Sequence, residues 1–156
     1  MKQAVRSRQE GFSLIELLIV VAIILILVAI AIPGGKRIRI NVDEAAVMKE
    51  LQTVHVAQTQ YYSQFGKYAA TLLELDSPDG VAEGPAAAHL IPKSLGTGEK
   101  NGYLFQMVST TGGYTVQASP AAFGDTGRRT FYLDADGVIH QNWGKEPATA
   151  ASPEIR

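Results

Sequence analysis

The segment from Leu17 to Ile32, LLIVVAIILILVAIAI, contains no polar side chain, and no feature of the chain limits its fold more. A helix that is apolar on every side cannot face water; it must lie in a protein core or in a membrane. Counted from Phe12 to Ile32, the stretch is about as long as the roughly 20 residues needed to span a bilayer. The chain as a whole is 46% hydrophobic and 19% charged, an ordinary globular balance. Because one segment holds so much of the apolar content, the remainder is more polar than that average.

Basic residues precede the apolar run. Lys2, Arg6 and Arg8 stand against Glu10, a pattern of membrane insertion or export. Positive charge before the run favours a cytoplasmic N-terminus, although Lys36, Arg37 and Arg39 after it weaken the asymmetry. Without Met1–Gly11 the chain would hold 11 basic and 14 acidic side chains, so the body offers nucleic acid no general attraction and no constitutive nucleic-acid binding is expected. Cysteine is absent, so no disulfide staples the fold.

Three readings of this N-terminus compete on the residues alone. A cleaved secretory signal could use Ala29-Ile30-Ala31, but the run is long for such a signal and Glu16 interrupts its start. A simple anchor for a periplasmic binding or enzymatic domain leaves Glu16 unexplained, since a carboxylate within a spanning segment costs about 2.5 kcal/mol or more at mid-membrane. A snorkelling Glu16 would lower that cost. The third reading comes from Gly11-Phe12-Ser13-Leu14-Ile15-Glu16-Leu17-Leu18, which closely resembles the prepilin signature of type IV pilins and type II secretion pseudopilins.

The resemblance implies that Met1–Gly11 is a leader, cut after Gly11 by a membrane-embedded prepilin peptidase that also methylates Phe12. It implies that Glu16 pairs with the Phe12 amine of a neighbouring copy, giving both charges a partner and fixing axial register in a helical filament. It implies contact with lipid and with inner-membrane assembly machinery before assembly, then a surface filament, or a periplasmic pseudopilus if the chain serves secretion. A structural subunit without enzymatic activity, cofactor or metal follows. Attachment, twitching motility, DNA uptake and secretion all remain open, as does a minor-pilin role.

Past Pro33-Gly34-Gly35 the pattern becomes amphipathic. Proline removes an amide donor and glycine adds backbone freedom, so a kink or unwound stretch around residues 31–35 is expected, although in a membrane precursor the same site could be helical and melt on assembly. Val47, Leu51, Val54, Gln58, Tyr61 and Phe65 then step by three or four, one helical stripe. Asp43 and Glu44, with Lys36, Arg37 and Arg39, read as a charged outer face. A helix from Phe12 to Phe65 would be about 80 Å long.

Residues 66–101 are rich in glycine and proline, with short helical pieces expected at Ala70–Leu75 and Ala86–Leu90. Strands are expected at Tyr103–Val108, Tyr114–Ala118, Thr130–Leu133 and Val138–Gln141, the last two joined by the turn Asp134-Ala135-Asp136-Gly137. The fold class is therefore α+β: a long N-terminal helix, apolar then amphipathic, packed on a small antiparallel sheet, the ladle of pilins. The organisation is a leader at 1–11, a transmembrane or filament-core helix at 12–35, a head at 36–143 and a flexible tail at 144–156.

Little else suggests chemistry. His55, His89 and His140 are scattered without metal-ligand spacing, and His55 belongs at the edge of the helical stripe. Asp134-x-Asp136-Gly137 opens like a calcium loop but lacks the downstream bidentate glutamate, so an ordinary turn is the better reading. The aromatics fit core packing. Lys36, Arg37 and Arg39 could meet lipid headgroups or pair with Asp43 and Glu44.

Overall fold

A computed structural model describes residues 12–155 of the chain. It contains α1 (Leu14–Phe65), α2 (Leu72–Leu75), α3 (Lys93–Gly96) and five strands: β1 (Glu99–Lys100), β2 (Tyr103–Thr110), β3 (Gly113–Pro120), β4 (Arg129–Asp134) and β5 (Ile139–Trp143). The strands form one antiparallel sheet in sequential order. The chain divides into two units, the first ending at Arg37 and the second, the head, beginning at Ile38. The α+β arrangement expected from the sequence is the observed one.

Within the head, α1 buries a stripe that steps alternately by four and three: Ile40, Glu44, Val47, Leu51, Val54, Gln58 and Tyr61. Phe65 continues it, half-buried. Its polar members are satisfied rather than exposed. The Gln58 amide donates to Ala69 O (3.0 Å) and accepts from Ala69 N–H (2.9 Å), as a neighbouring strand would. Gly66 ends the helix in the left-handed region (φ 68°), its N–H bonded to Tyr62 O at 2.8 Å, so a terminal carbonyl is capped by a residue without Cβ.

Glu44 corrects the expectation of a charged outer face. It is 2% exposed. Its Oε1 accepts from Arg128 N–H (2.8 Å) and its Oε2 from Arg129 Nε (2.7 Å), while Arg129 also donates to Gln141 Oε1 (2.7 Å). The position lies one step of three before Val47, so helical geometry turns it inward, and an ion pair with added hydrogen bonds offsets its desolvation. Of the basic trio, Arg39 reaches Asp43 at 3.8 Å on an exposed face. A second tie from helix to sheet, Glu50–Lys100 at 2.7 Å, is half-buried.

The strands fill the other side of the core through alternation. The pairings Phe105↔Ala118↔Phe131 and Met107↔Val116↔Leu133 set apolar rows across β2, β3 and β4. Asn101-Gly102 closes β1 onto β2 with both residues at positive φ (52° and 71°), a two-residue turn that matches strand twist. The turn expected at Asp134–Gly137 is present: Asp134 O and Oδ1 accept from Gly137 and Asp136 N–H, each at 3.1 Å.

Two further segments depart from expectation. Ala86–Leu90 is not helical, because its amides leave for other partners: Ala87 N–H bonds Gly84 O across a tight turn, Ala88 N–H bonds Glu74 O, and Leu90 and Ile91 N–H bond Leu75 O. Ala87 and Ala88 are buried by that docking, and the helical turn falls instead at α3, just after Pro92. The segment after Gly144, expected to be loose, is tied down. Thr130 Oγ1 and Asn142 Nδ2 donate to Glu146 O, and Ala148 is fully buried. Gln141 N–H bonds Pro153 O and Ile155 N–H bonds Ile139 O, so the last residues run as a strap along the outer edge of β5. Such cover blunts a sheet edge that would otherwise pair with another chain.

Among the described residues no buried side-chain polar atom lacks a partner. Tyr103 donates to Arg129 O (2.9 Å) and Tyr114 meets His55 Nδ1 (2.7 Å). Burial pushes both phenols well above the ordinary value of 10.0, Glu44 adding to the effect at Tyr103 and Tyr68 at Tyr114.

Two predictions follow from this packing. Glu44→Ala strands the Arg129 guanidinium and lowers the unfolding free energy by about 3 kcal/mol, read by urea denaturation of the chain in detergent; a loss under about 1 kcal/mol would show that the pair does not hold the head. Raised phenol values mean that the folded state resists ionisation, so the stability they contribute is complete below pH 10 and declines as pH climbs above it. Thermal melts between pH 8 and 12 should be level to about pH 10 and then fall, with Tyr103→Phe flattening the fall.

Candidate functional site

The residues singled out for processing and assembly occupy the start of the described chain. Gly11, on the leader side of the expected cut, lies outside the described residues. Phe12 and Ser13 precede α1, which begins at Leu14; Leu17 N–H bonds Ser13 O at 3.1 Å, closing the first turn. Serine is a favoured residue before a helix, and Ser13-x-x-Glu16 has the spacing of a capping box. Glu16 sits in the first turn, where the positive end of the helix macrodipole favours a carboxylate by about 0.3–1 kcal/mol.

That gain is small beside the cost of taking an unpaired carboxylate out of water, and its surroundings are apolar in sequence on the C-terminal side. Every large apolar side chain from Phe12 to Ile30 is exposed, Phe12 itself by 81% and Leu14 by 82%. The helix is long and apolar enough to cross a membrane by length and composition. An exposed Leu, Ile or Val gains about 1.5–3 kcal/mol on full burial, so the fourteen between Leu14 and Ile30 drive the helix strongly out of water. What this arrangement can do chemically is limited and specific: insert, and present one carboxylate beside an aromatic N-terminal residue.

The helical assignment runs without interruption through Pro33, Gly34 and Gly35. Pro33 has no N–H, so the hydrogen bond to Ala29 O cannot form there, and a Cβ at Gly35 would meet nothing within 4 Å. The helix thus crosses this stretch unbroken, where the proline and glycines led to the expectation of a kink or unwound segment.

The remaining candidates are dispersed. His55 bonds Tyr114 at the stripe's edge, His140 Nδ1 lies 2.7 Å from Ser152 O, and His89 sits in the left-handed region (φ 56°) of the loop before α3. Among the described residues, no three His, Cys, Asp or Glu side chains gather where they could hold a metal ion. Sequence reasoning did not anticipate Glu44–Arg129, although the four-three stepping of the stripe, carried back from Val47, reaches Glu44. It also passed over a shallow cleft of about 400 Å³ lined by Tyr62, Lys67, Tyr68, Ser109 and Thr110, for which no periodic signal exists.

Comparison with known proteins places this N-terminus. Residues 6–32 match the family model described as the prokaryotic N-terminal methylation motif. The chain is 40% identical over 62 residues to the type IV major pilin protein PilA of Myxococcus xanthus, covering 40% of this chain and 28% of that one. It is 41% identical over 80 residues to two forms of the type IV major pilin protein PilE1 of Neisseria gonorrhoeae, covering 50% of this chain and 45% or 41% of theirs. The matches thus span less than half the length of each of these relatives. No solved structure matches the chain.

Proposed function

We propose, on the premise that this is a type IV pilin-like chain, that it is a prepilin whose mature form begins at Phe12 and polymerises into a filament through α1. The observation that carries this reading is the coincidence of Gly11, Phe12 and Glu16 with a helix whose apolar surface is exposed on all sides. Met1–Gly11 is the leader, removed after Gly11 by a prepilin peptidase that methylates Phe12. The precursor sits in the inner membrane with its N-terminus in the cytoplasm and its head outside.

Cutting creates a positive amine on Phe12 at the head of an apolar helix. In a filament core, that amine and the Glu16 carboxylate each strand a charge unless they meet. Pairing Glu16 with the Phe12 amine of the adjoining copy removes both penalties. It also singles out one axial register from many that plain apolar packing would allow, the best-attested use of a buried ion pair. Pro33, Gly34 and Gly35 mark where the helix would melt on assembly, lengthening the subunit. The role is structural rather than enzymatic, with copies of itself, the prepilin peptidase and the assembly machinery as partners, and the filament ends at the cell surface.

A type II secretion pseudopilin or a minor pilin shares the same motif. The pilus reading is favoured because the named relatives are major pilins. A periplasmic domain on a simple anchor belongs to a different class and gives Glu16 no task.

Glu16→Ala therefore leaves the chain in the membrane fraction and reduces sheared surface filaments at least tenfold, whereas an unchanged yield would sink the register argument. Gly11→Leu leaves a precursor longer by Met1–Gly11 on a gel, and normal trimming of that variant would show the peptidase assignment wrong.

A further inference from the structure

Where Gly66 ends α1, Tyr62, Lys67 and Tyr68 stand across from Ser109, Thr110 and Gly112 of the β2–β3 hairpin, around the cleft of about 400 Å³. Its aromatic wall is held in place. The rings of Tyr62 and Tyr68 lie 4.8 Å apart at 39°. Tyr68 packs 5.3 Å from the ring of buried Tyr114, whose hydroxyl meets His55 Nδ1 at 2.7 Å. Supported in this way, Tyr62 stays 49% exposed, an apolar surface that a ligand does not have to order.

Polar groups border that wall. Lys67 is exposed and, among the described residues, carries the only charge on the lining. Ser109 and Thr110 add hydroxyls. Tyr103 pairs with Lys100 and Phe105 N–H bonds Gly98 O, so alternate residues of β2 turn their main-chain groups to the outer edge. Ser109 belongs to that series beyond the reach of β1. Its amide and carbonyl therefore border the cleft with no strand beside them among the described residues.

These groups narrow the occupant. Past β1 the open series holds only Met107 and Ser109, too few to seat a strand of about 5–6 residues, so a compact ligand fits better than an extended peptide. Phosphates are met bidentately by arginine or at helix N-termini. Here a single lysine follows a helix C-terminus, whose negative dipole disfavours a dianion. One carboxylate suits that lysine, several hydroxyls suit the polar border, and a ring with an apolar face suits the tyrosines.

We propose that this cleft binds a hexuronic acid, a sugar ring bearing one carboxylate. The C–H face of the ring stacks on Tyr62 and Tyr68, the carboxylate accepts from Lys67 Nζ, and the sugar hydroxyls bond Ser109 and Thr110. The site lies wholly within the head and does not depend on how α1 assembles.

Saturation-transfer NMR of the full chain, in a detergent without a sugar headgroup, tests this. Digalacturonate is the probe, its neutral methyl ester the charge control and sulfate the anion control. Irradiating the protein's aromatic protons is expected to saturate the ring C–H protons of the probe. Tyr62→Ser, with an unchanged circular dichroism spectrum, weakens binding about tenfold. Lys67→Gln weakens binding of the acid about threefold, as for an exposed ion pair, and leaves that of the ester unchanged. Absence of transfer at about 10 mM probe, where even millimolar affinity would show, overturns the proposal. So does transfer that Tyr62→Ser leaves intact, or displacement by sulfate as ready as by more digalacturonate, which would reveal only a counter-ion on Lys67. Equal binding of acid and ester, indifferent to Lys67→Gln, overturns the assignment to an acidic sugar.

Discussion

From Phe12 through the first turns of α1 to Ile30, the large apolar side chains are all exposed, and the rest of the structure depends on that uncovered surface. The hydrophobic effect sets no direction and no partner; it requires only that such surface leave water. A bilayer satisfies the requirement for one copy, and a bundle of like helices satisfies it for many. Both environments are equally apolar, so transfer between them cannot be driven by burial alone. Packing and polar contacts must decide it. Glu16, the carboxylate at the start of the run, is the residue able to make that difference.

The head solves a separate problem with ordinary means. One stripe of α1 and one face of a five-stranded meander share a core of Val47, Leu51, Val54, Phe105, Val116, Phe131 and Leu133. Polar groups inside it are all spoken for, Gln58 by the Ala69 backbone and Glu44 by Arg128 and Arg129. Glu44 matters beyond its energy, since it ties the first turns of the head's helix to the start of β4. Replacing such a pair by well-packed apolar side chains is often neutral for stability; what the pair adds here is a fixed pairing of helix level and strand. Held in that way, the Arg129 guanidinium also lies 5.1 Å from the ring centre of exposed Trp143.

Much of this was legible from the residues. The apolar run, the three-four stepping from Val47 to Phe65 and the alternation of Tyr114-Thr115-Val116-Gln117-Ala118 each reflect a single element's own period, and the helix and strand they predict are present. Glu44 was misread because charge was weighed before periodicity, although its position in the stripe placed it inside. Ala86–Leu90 departs from the helix expected there because alanine favours helix locally, while the partners that draw its amides away, Glu74 and Leu75, lie on another element. The same holds for the strap at Gln141, Pro153 and Ile155, which has no pattern of its own and gains order only from the edge of β5. Asn101-Gly102 was a readable turn signal that strand spacing overshadowed. At the assembly segment the sequence names Phe12 and Glu16 directly, because a lone carboxylate in an apolar run stands out.

The most direct test of the central claim is the intact mass and N-terminal peptide of the protein recovered from sheared surface material. The account predicts a chain that starts at Phe12 and carries one added methyl group on its amine. A chain that still starts at Met1, or is cut after Ala31, and stays in the membrane or periplasm would contradict it and leave an anchored or secreted domain in its place.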